Sequence, residues 1–233
     1  MSSDASMTIA FLQTYQPDDW IALFLKSYAS GRLGQRVLPV RLATTGRIQA
    51  WLHRENESGM NLYVSLNAVA PQQTSRRRAA IRTVRHVFVD VDHRGEHVLE
   101  AISRRHDLPR PSYVLHTSPQ RVHVLWRVTR FLPDTSEALQ RHLARELHAD
   151  TAATSCAQLT RLAGFLYLKS PVAWPCRMIL TCKGLLYAAV THTTVIEARR
   201  RSPRSSSFSP GASWFCLAVS ECSGENESDG FDV

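Results

Sequence analysis

The stretch Val84–Asp92 reads VRHVFVDVD. β-Branched and aromatic residues dominate it, and this composition predicts a β-strand. Side chains alternate along a strand, so one face is apolar and the other carries two carboxylates. The first face holds Val87, Val89 and Val91, and the second holds Phe88, Asp90 and Asp92.

Asp90 and Asp92 therefore project side by side from a strand whose other face is built for a core. Two like charges placed together and partly buried repel each other. A hard, oxygen-preferring cation such as Mg²⁺ or Mn²⁺ between them would relieve the repulsion. The alternative interpretation is a polar strand face that is simply solvated.

Composition limits the class of protein. The chain has 233 residues, 44% hydrophobic and 21% charged, which predicts a soluble globular protein of one domain or two small ones. No apolar run approaches the ~20 residues of a membrane span and no secretory signal opens the chain, so we expect a cytoplasmic protein without a membrane partner. The net charge of +8 suits a polyanionic partner, although it also serves solubility alone.

The N-terminal part, residues 8–75, is expected to form a small α/β module without a catalytic motif of its own. Asp18 or Asp19 can cap a helix over residues 20–28. Three extended segments are expected to follow it, at Val37–Leu42, Ile48–Leu52 and Leu62–Leu66.

Arg76, Arg77 and Arg78 lead into the carboxylate strand. They are either a solvated connecting loop or an arm that contacts phosphate groups of a nucleic acid. The sequence leaves both interpretations open.

The following segments predict a β-α-β-β-α-β order over residues 76–170, which is the RRM-like, ferredoxin-like form of the α+β class. In that arrangement the first and third strands are neighbours in the middle of the sheet, and two helices cover one face and leave the other open. After the carboxylate strand the predicted elements are a helix at 96–106, strands at 112–117 and 121–128, a helix at 134–148 and a last strand or loop at 158–169.

The strand RVHVLWRV alternates in the same way as the carboxylate strand. If the valine faces of both strands meet the helices, Arg121, His123 and Arg127 share the open face with the two carboxylates. Metal ligands would then lie beside cations for phosphate, which suits metal-assisted phosphoryl or nucleotidyl transfer. Asp150 follows the second helix and could reach the first strand, or it could only end the helix.

Several motifs are missing. No serine-nucleophile, Rossmann or Walker A pattern occurs, so the chain carries no ATPase motor of its own, and the aromatic RNP1 signature is also absent.

Three segments in order, VFVDVDH, TSPQRVHVLWRV and ADTAATSCAQLTRLAGF, resemble the motifs of the RepB-like DNA primases, which belong to the archaeo-eukaryotic primase superfamily. The resemblance covers roughly residues 18–169. It implies an RRM-like catalytic core with an N-terminal α/β module. It also implies that Asp90, Asp92 and Asp150 bind the catalytic divalent metals, Mg²⁺ or Mn²⁺.

The resemblance implies nucleotide-binding roles as well. His123 matches the histidine that contacts the phosphates of the incoming nucleotide, and Arg121 stands where the superfamily usually has serine. Arg161 matches a basic nucleotide or template contact, and Ser118 is a further nucleotide-binding candidate. Where the family often has L-P-G-x-x-N, this chain has Ala163 in place of the proline and Tyr167 at the polar position.

These observations together predict a template-directed nucleotidyltransferase that primes replication of a plasmid or mobile element. Its expected partners are a single-stranded DNA template, contacted by Arg76, Arg77, Arg78 and Arg127, nucleoside triphosphates and a separate replicative helicase. A metal-dependent nuclease and a catalytically degenerate DNA-binding module are the alternatives.

The resemblance fades after residue 170. Residues 171–198 could add an edge strand or a helix to the core. Residues 199–233 are rich in Arg and Ser and then acidic, a composition that predicts a disordered tail.

Overall fold

The computed structural model describes residues 4–169, 172–180, 185–189 and 215–219. Its α-helices are α1 (Ala5–Leu12), α2 (Val40–Ala43), α3 (Gly46–Glu57), α4 (Gly95–Ser103) and α5 (Pro133–Glu146), and a 3₁₀ turn spans Arg78–Ala80. Its strands are β1 (Trp20–Lys26), β2 (Leu33–Pro39), β3 (Asn61–Ser65), β4 (Ala68–Val69), β5 (Ile81–Thr83), β6 (His86–Val91), β7 (Tyr113–Ser118), β8 (Arg121–Thr129), β9 (Leu159–Arg161), β10 (Leu166–Tyr167), β11 (Trp174–Pro175), β12 (Arg177–Leu180), β13 (Leu185–Ala189) and β14 (Phe215–Val219).

The strands form two main sheets. The first has the order β5-β4-β1-β3-β9, with β2 also paired to β1, and its pairings are antiparallel. In the second, β8 lies between β6 and β7, and β12 pairs with the outer edge of β7. The mixed α+β class and its antiparallel sheets agree with the prediction.

The alternation predicted for β6 and β8 is confirmed by the packing. The valines of both strands pack with α4 and α5 in one core cluster, which also contains Trp126, Ile102 and Leu139. The opposite face contributes Phe88 and Leu125 to a second core cluster. A one-residue shift in either strand would exchange these two faces, so the valine spacing determines which side chains can line a site.

The opposite face was predicted to be open. In the structure the first sheet covers most of it. Phe88 and Leu125 pack in the same cluster as Leu23 and Val64 of the first sheet and Phe11 of α1. The buried side chains of this cluster exclude water from the space between the two sheets. The end of β6 that carries Asp90 stays partly accessible.

The last predicted strand takes a different place from the one expected in a βαββαβ sheet. β9 joins the first sheet, where Val64 of β3 pairs with Thr160. The segment around Asp150 contacts β6 instead. The backbone N–H of Asp150 donates a hydrogen bond to the carbonyl oxygen of Asp90 over 2.9 Å. β6 and β8 are neighbours as predicted, but in the described residues no strand of the second sheet lies on the other side of β6.

Two N-terminal predictions were wrong, and a third was wrong in part, because the expected extended segment Val37–Leu42 ends in helix α2 (Val40–Ala43). Residues 20–26 form strand β1 and not a helix, because the seven-residue apolar run is short enough for either and pairs with β2 on one edge and β3 on the other. Asp19 caps no helix there, since its carboxylate binds Arg85 over 2.7 Å. Residues 48–52 lie within helix α3, where Ile48 and Leu52 have helical spacing.

The first sheet contains strands from both sides of the domain boundary predicted at residue 76. β5 and β9 come from the segment assigned to the core, yet both pair within the first sheet. The division into residues 8–75 and 76–170 stays a prediction.

The C-terminal part adds strands to the second sheet. β12 is an edge strand on β7, which is one of the two outcomes expected for residues 171–198. β13 runs parallel to the end of β8, and β14 pairs antiparallel with β13. Residues 215–219, which were predicted to belong to a disordered tail, thus form a strand. The rest of residues 199–233 lies outside the described residues.

Candidate active site

A cavity of about 360 Å³ opens between the two sheets at the end of β6. Its charged lining consists of five Lys or Arg residues against two Asp residues, so it is electropositive before any histidine is counted. The lining residues are Phe24, Lys26, Tyr28, Tyr63, Arg76, Asp90, Asp92, Thr117, Arg121, His123, Gln158, Leu159, Arg161, Tyr167 and Lys169.

The carboxylates meet basic side chains across neighbouring strands. The register of β6 and β8 places Asp90 opposite His123. Oδ1 of Asp90 lies 3.2 Å from Nε2 of His123, and Oδ1 of Asp92 lies 3.2 Å from Nη1 of Arg121. The juxtaposition predicted from the alternation of the two strands is therefore confirmed.

Asp90 is mostly buried, with 20% of its side chain exposed. Burial alone would raise the pKa of Asp90, but the charge and hydrogen bond of His123, with Arg161 and Arg121 nearby, outweigh it and lower the pKa. The site therefore keeps Asp90 ionised at neutral pH, as a ligand for a cation requires.

His123 is hydrogen-bonded on both ring nitrogens. Besides the contact with Asp90, Nδ1 lies 2.8 Å from Oγ1 of Thr160, which is completely buried. His123 itself is only 8% exposed. Its ring is thus held between the carboxylate strand and the first sheet.

Arg161 lies on the wall of the cavity. One guanidinium nitrogen donates to the backbone carbonyl of Thr117, and the guanidinium stacks 3.2 Å from the ring centroid of Tyr167. Burial lowers the pKa of Arg161. Tyr167, where the related motif often has a polar residue, thus supports the arginine of this chain.

The three arginines of the run take different positions. Arg76 lines the cavity, where Nη1 donates to the Ala157 carbonyl over 3.1 Å. Arg77 is exposed. Arg78 is ion-paired with Asp134 and Glu137 of α5. The phosphate-contacting interpretation is thus compatible with the position of Arg76, whereas Arg78 has a structural partner.

Besides Arg77 and Arg78, three predicted site residues are absent from the lining of the cavity, namely Ser118, Arg127 and Asp150. Arg127 pairs with His86 in the register of β8, at the opposite end of β6 from Asp90. Ser118 pairs with Arg121, and its neighbour Thr117 lines the cavity instead.

Asp150 reaches β6 only through its backbone. Its carboxylate accepts a hydrogen bond from the N–H of Ala152 over 2.8 Å, and Asp150 does not line the cavity. Within residues 4–169 and the shorter described segments, no three His, Cys, Asp or Glu side chains are grouped as metal ligands. The role of Asp150 as a third metal ligand stays a prediction.

The residues that the first sheet contributes to the cavity lining were not predicted from the sequence. Phe24 and Lys26 alternate with buried residues along β1, and Tyr28 follows them in the same alternation. The hydroxyl groups of Tyr28 and Tyr63 are 3.3 Å apart, and Lys169 lies 5.2 Å from the ring centroid of Tyr28. The alternation of Ile21, Leu23 and Leu25 was the available signal, which the helix assignment obscured.

The described residues include no helix that is long and apolar enough to cross a membrane.

The chain is similar in fold to proteins of known structure. A search of curated proteins found no match. Among solved structures, the chain is similar to the crystal structure of primase RepB′, with a TM-score of 0.56 and 21% identity over 75% of this chain and 56% of that chain. This chain therefore spans little more than half the length of that protein.

Two further solved structures have the same fold. The catalytic domain of primase RepB′ in complex with initiator DNA gives a TM-score of 0.55 and 21% identity over 76% of this chain and 85% of that chain. The AEP domain of the cyanophage S-2L primase-polymerase gives 0.59 and 18% identity over 78% of this chain and 92% of that chain. The family model described as the RepB DNA-primase N-terminal domain matches residues 29–176, more than half of the chain. The chain belongs to the RepB DNA-primase N-terminal domain family.

Proposed function

We propose that this domain is a DNA primase that transfers nucleotides onto a growing strand under the direction of a single-stranded template. One observation carries the proposal. Asp90 and Asp92 face His123 and Arg121 at distances of 3.2 Å, inside a cavity with three further basic side chains from Lys26, Arg76 and Lys169 and a partly buried Arg161. Carboxylates beside an excess of cations suit a substrate that brings both metal and phosphate.

The donor set fits a divalent cation of the Mg²⁺ or Mn²⁺ type. Such ions are commonly held by one or two carboxylates, with substrate phosphates and water completing the shell. Asp90 and Asp92 supply two carboxylates on one strand face, and the lowered pKa of Asp90 keeps it charged. Bound there, the cation would neutralise phosphate charge and lower the pKa of an attacking hydroxyl group.

The basic side chains of the second sheet are assigned to the triphosphate. Arg121 and His123 lie next to the carboxylates, so phosphate oxygens bound near the carboxylates are within their reach. Arg161 has no acidic partner within 4 Å in the described residues, and its guanidinium carbon lies 3.2 Å from the ring centroid of Tyr167. A planar, partly desolvated guanidinium in a fixed orientation is well suited to two phosphate oxygens.

The wall from the first sheet is assigned to the nucleic acid. Tyr28 and Tyr63 offer aromatic faces, and Lys26 lies 4.6 Å from the ring centroid of Tyr28. Single-stranded nucleic acids are bound by stacking of bases on aromatic rings and by cations along the backbone. Arg76, 5.6 Å from the ring centroid of Phe24, extends the same combination along the cavity.

Family membership supports the wider setting of the proposal. We assign the domain to priming of plasmid or mobile-element replication in the cytoplasm. A separate helicase that opens the duplex is part of the same proposal.

Primer synthesis on single-stranded DNA, with ribonucleotides and deoxynucleotides and with Mg²⁺ or Mn²⁺, tests the proposal. We expect template-dependent extension that stops with EDTA and in the Asp90→Asn, Asp92→Asn variant. Degradation of the DNA without incorporation would replace the proposal by a nuclease. DNA binding with neither incorporation nor binding of labelled nucleotide would indicate a degenerate DNA-binding module.

A further inference from the structure

The partner of His123 Nδ1 comes from the other sheet. His123 lies on β8 of the second sheet, and Thr160 lies on β9 of the first, where it pairs with Val64. Oγ1 of Thr160 and Nδ1 of His123 are 2.8 Å apart, and the threonine is completely buried. The contact therefore links the orientation of a ring in one sheet to a strand in the other.

We propose that Thr160 is a positioning residue, which holds the His123 imidazole with Nε2 directed towards Asp90 and the cavity. The inference rests on the proposed function and deepens it, since it names what orients the phosphate-contacting histidine. Thr160 does not line the cavity, so it acts through His123 and not by touching substrate.

The hydrogen-bond network assigns the tautomer. The Asp90 carboxylate only accepts hydrogen bonds, so the proton facing it belongs to Nε2 of His123. In the neutral ring Nδ1 is then an acceptor and the Thr160 hydroxyl donates to it, whereas in the charged ring Nδ1–H donates to the hydroxyl oxygen. A side chain without a hydroxyl would leave a buried nitrogen unsatisfied and would remove the preference for this tautomer.

The backbone around Thr160 keeps its hydroxyl in place. Residues on both sides pair with β3, as Leu159 with Ser65 and Arg161 with Tyr63. Torsions that rotate an imidazole ring about its attachment are soft and roughly two-fold, so β8 alone does not set the orientation of the ring. A fixed hydroxyl opposite Nδ1 supplies the missing constraint.

Three variants of the full chain test the inference. Thr160→Val keeps the shape and removes the hydroxyl, Thr160→Ser restores the hydroxyl, and Thr8→Val is the matched control. Thr8 is also completely buried, and its hydroxyl donates to the Ala163 carbonyl over 2.7 Å outside the cavity lining. It controls for the loss of a buried threonine hydrogen bond.

We expect Thr160→Val to lower kcat/KM for nucleotide about fivefold, because a lost neutral hydrogen bond costs about 1 kcal/mol and tenfold corresponds to about 1.4 kcal/mol. Thr160→Ser should recover most of the loss. Thr8→Val should lose stability but keep its kcat/KM per folded molecule. Equal kinetics for Thr160→Val and Thr8→Val would overturn the inference.

The imidazole ¹⁵N spectrum separates a failure of this inference from a failure of the proposed function. At an alkaline pH that leaves the imidazole neutral, the His123 signals, identified by comparison with His123→Ala, should show the Nε2–H tautomer in the wild type and a mixture in Thr160→Val. This measurement needs no activity. A wild type without primer synthesis would refute the proposed function, whereas an unchanged spectrum in Thr160→Val would refute the role of Thr160.

Discussion

Nε2 of His123 lies 3.2 Å from Oδ1 of Asp90, across the register that pairs strands β8 and β6. The pair joins a residue expected to contact phosphate with a residue expected to bind metal. Its burial, with 10% and 20% of the two side chains exposed, strengthens each charge–charge interaction relative to water. The first two predictions separate the contributions of the two partners.

Replacing both carboxylates by amides, as Asp90→Asn with Asp92→Asn, should abolish primer synthesis and preserve the fold. We expect a loss of at least a hundredfold, since ~3 kcal/mol of transition-state stabilisation corresponds to about that factor. Millimolar Mg²⁺ or Mn²⁺ should raise the Tm of the wild type and not that of the variant, because an ion that binds only the folded state stabilises it. Normal extension by the variant, or no metal-dependent Tm shift in the wild type, would contradict the assignment of the metal ligands.

His123→Ala should raise the KM for nucleotide and lower kcat, because a phosphate contact both binds and aligns the reacting groups. The affinity for single-stranded DNA should change little, since the wall from the first sheet stays intact. Steady-state kinetics and DNA titration measure the two effects separately. A variant that is less stable but binds nucleotide normally would show that His123 is only a packed core residue.

Lys26→Ala with Lys169→Ala should weaken binding of single-stranded DNA and reduce its salt dependence. Each lost phosphate contact lowers the slope of log K against log salt by about 0.7, so the double variant should lose about 1.4. The control is Arg141→Ala with Arg145→Ala, which removes the same charge from exposed positions of α5. Equal slopes for the two double variants would exclude the lysines of the cavity from the DNA-binding surface.

Gly164→Ala should destabilise the fold by about 2 kcal/mol or more. Gly164 has a φ of +91°, and a β-carbon there would lie 2.6 Å from Oγ1 of Thr8 and closer still to the Asp4 carbonyl. Urea unfolding measures the loss. Gly46→Ala is the matched control, because no atom lies within 4 Å of its added carbon and alanine is the better helix former. Similar stabilities for the two variants would argue against the close packing of α1 on this turn.

His86 should make folding stability depend on pH. It is completely buried, and burial lowers its pKa to about 4, although Nδ1 can donate to the Leu66 carbonyl over 2.7 Å. Because the folded-state pKa lies below the unfolded value near 6.5, this contribution is complete above pH 6.5 and is lost as the pH falls towards 4.

Urea unfolding of the wild type and of His86→Gln at pH 7 and pH 4.5 tests this dependence. The wild type should lose up to about 3 kcal/mol more than the variant over that interval. Parallel losses in the two proteins would assign the acid sensitivity to other groups.

Local sequence periodicity was enough to predict which side chains of β6 and β8 can meet. The valine spacing in both strands has a period of two residues, and this periodicity is local, so it survives without knowledge of the rest of the chain. Asp90, Asp92, Arg121 and His123 therefore fall on one face, where the structure brings them together. The ordered motifs around them were also sufficient to indicate the family.

What lies opposite that face depends on long-range strand pairing, which the local pattern did not predict. Residues 20–26 are compatible with a helix or a strand, and pairing with β2 and β3, which are distant in sequence, selects the strand. That choice brings Lys26 and Tyr28 into the cavity and covers the face expected to be open. Thr160 faces His123 for the same reason, because β9 pairs with β3 and not with the sheet that its place in the sequence suggested. Pairing between strands that are distant in sequence depends on the free energy of the whole folded chain. A local sequence pattern does not predict that free energy.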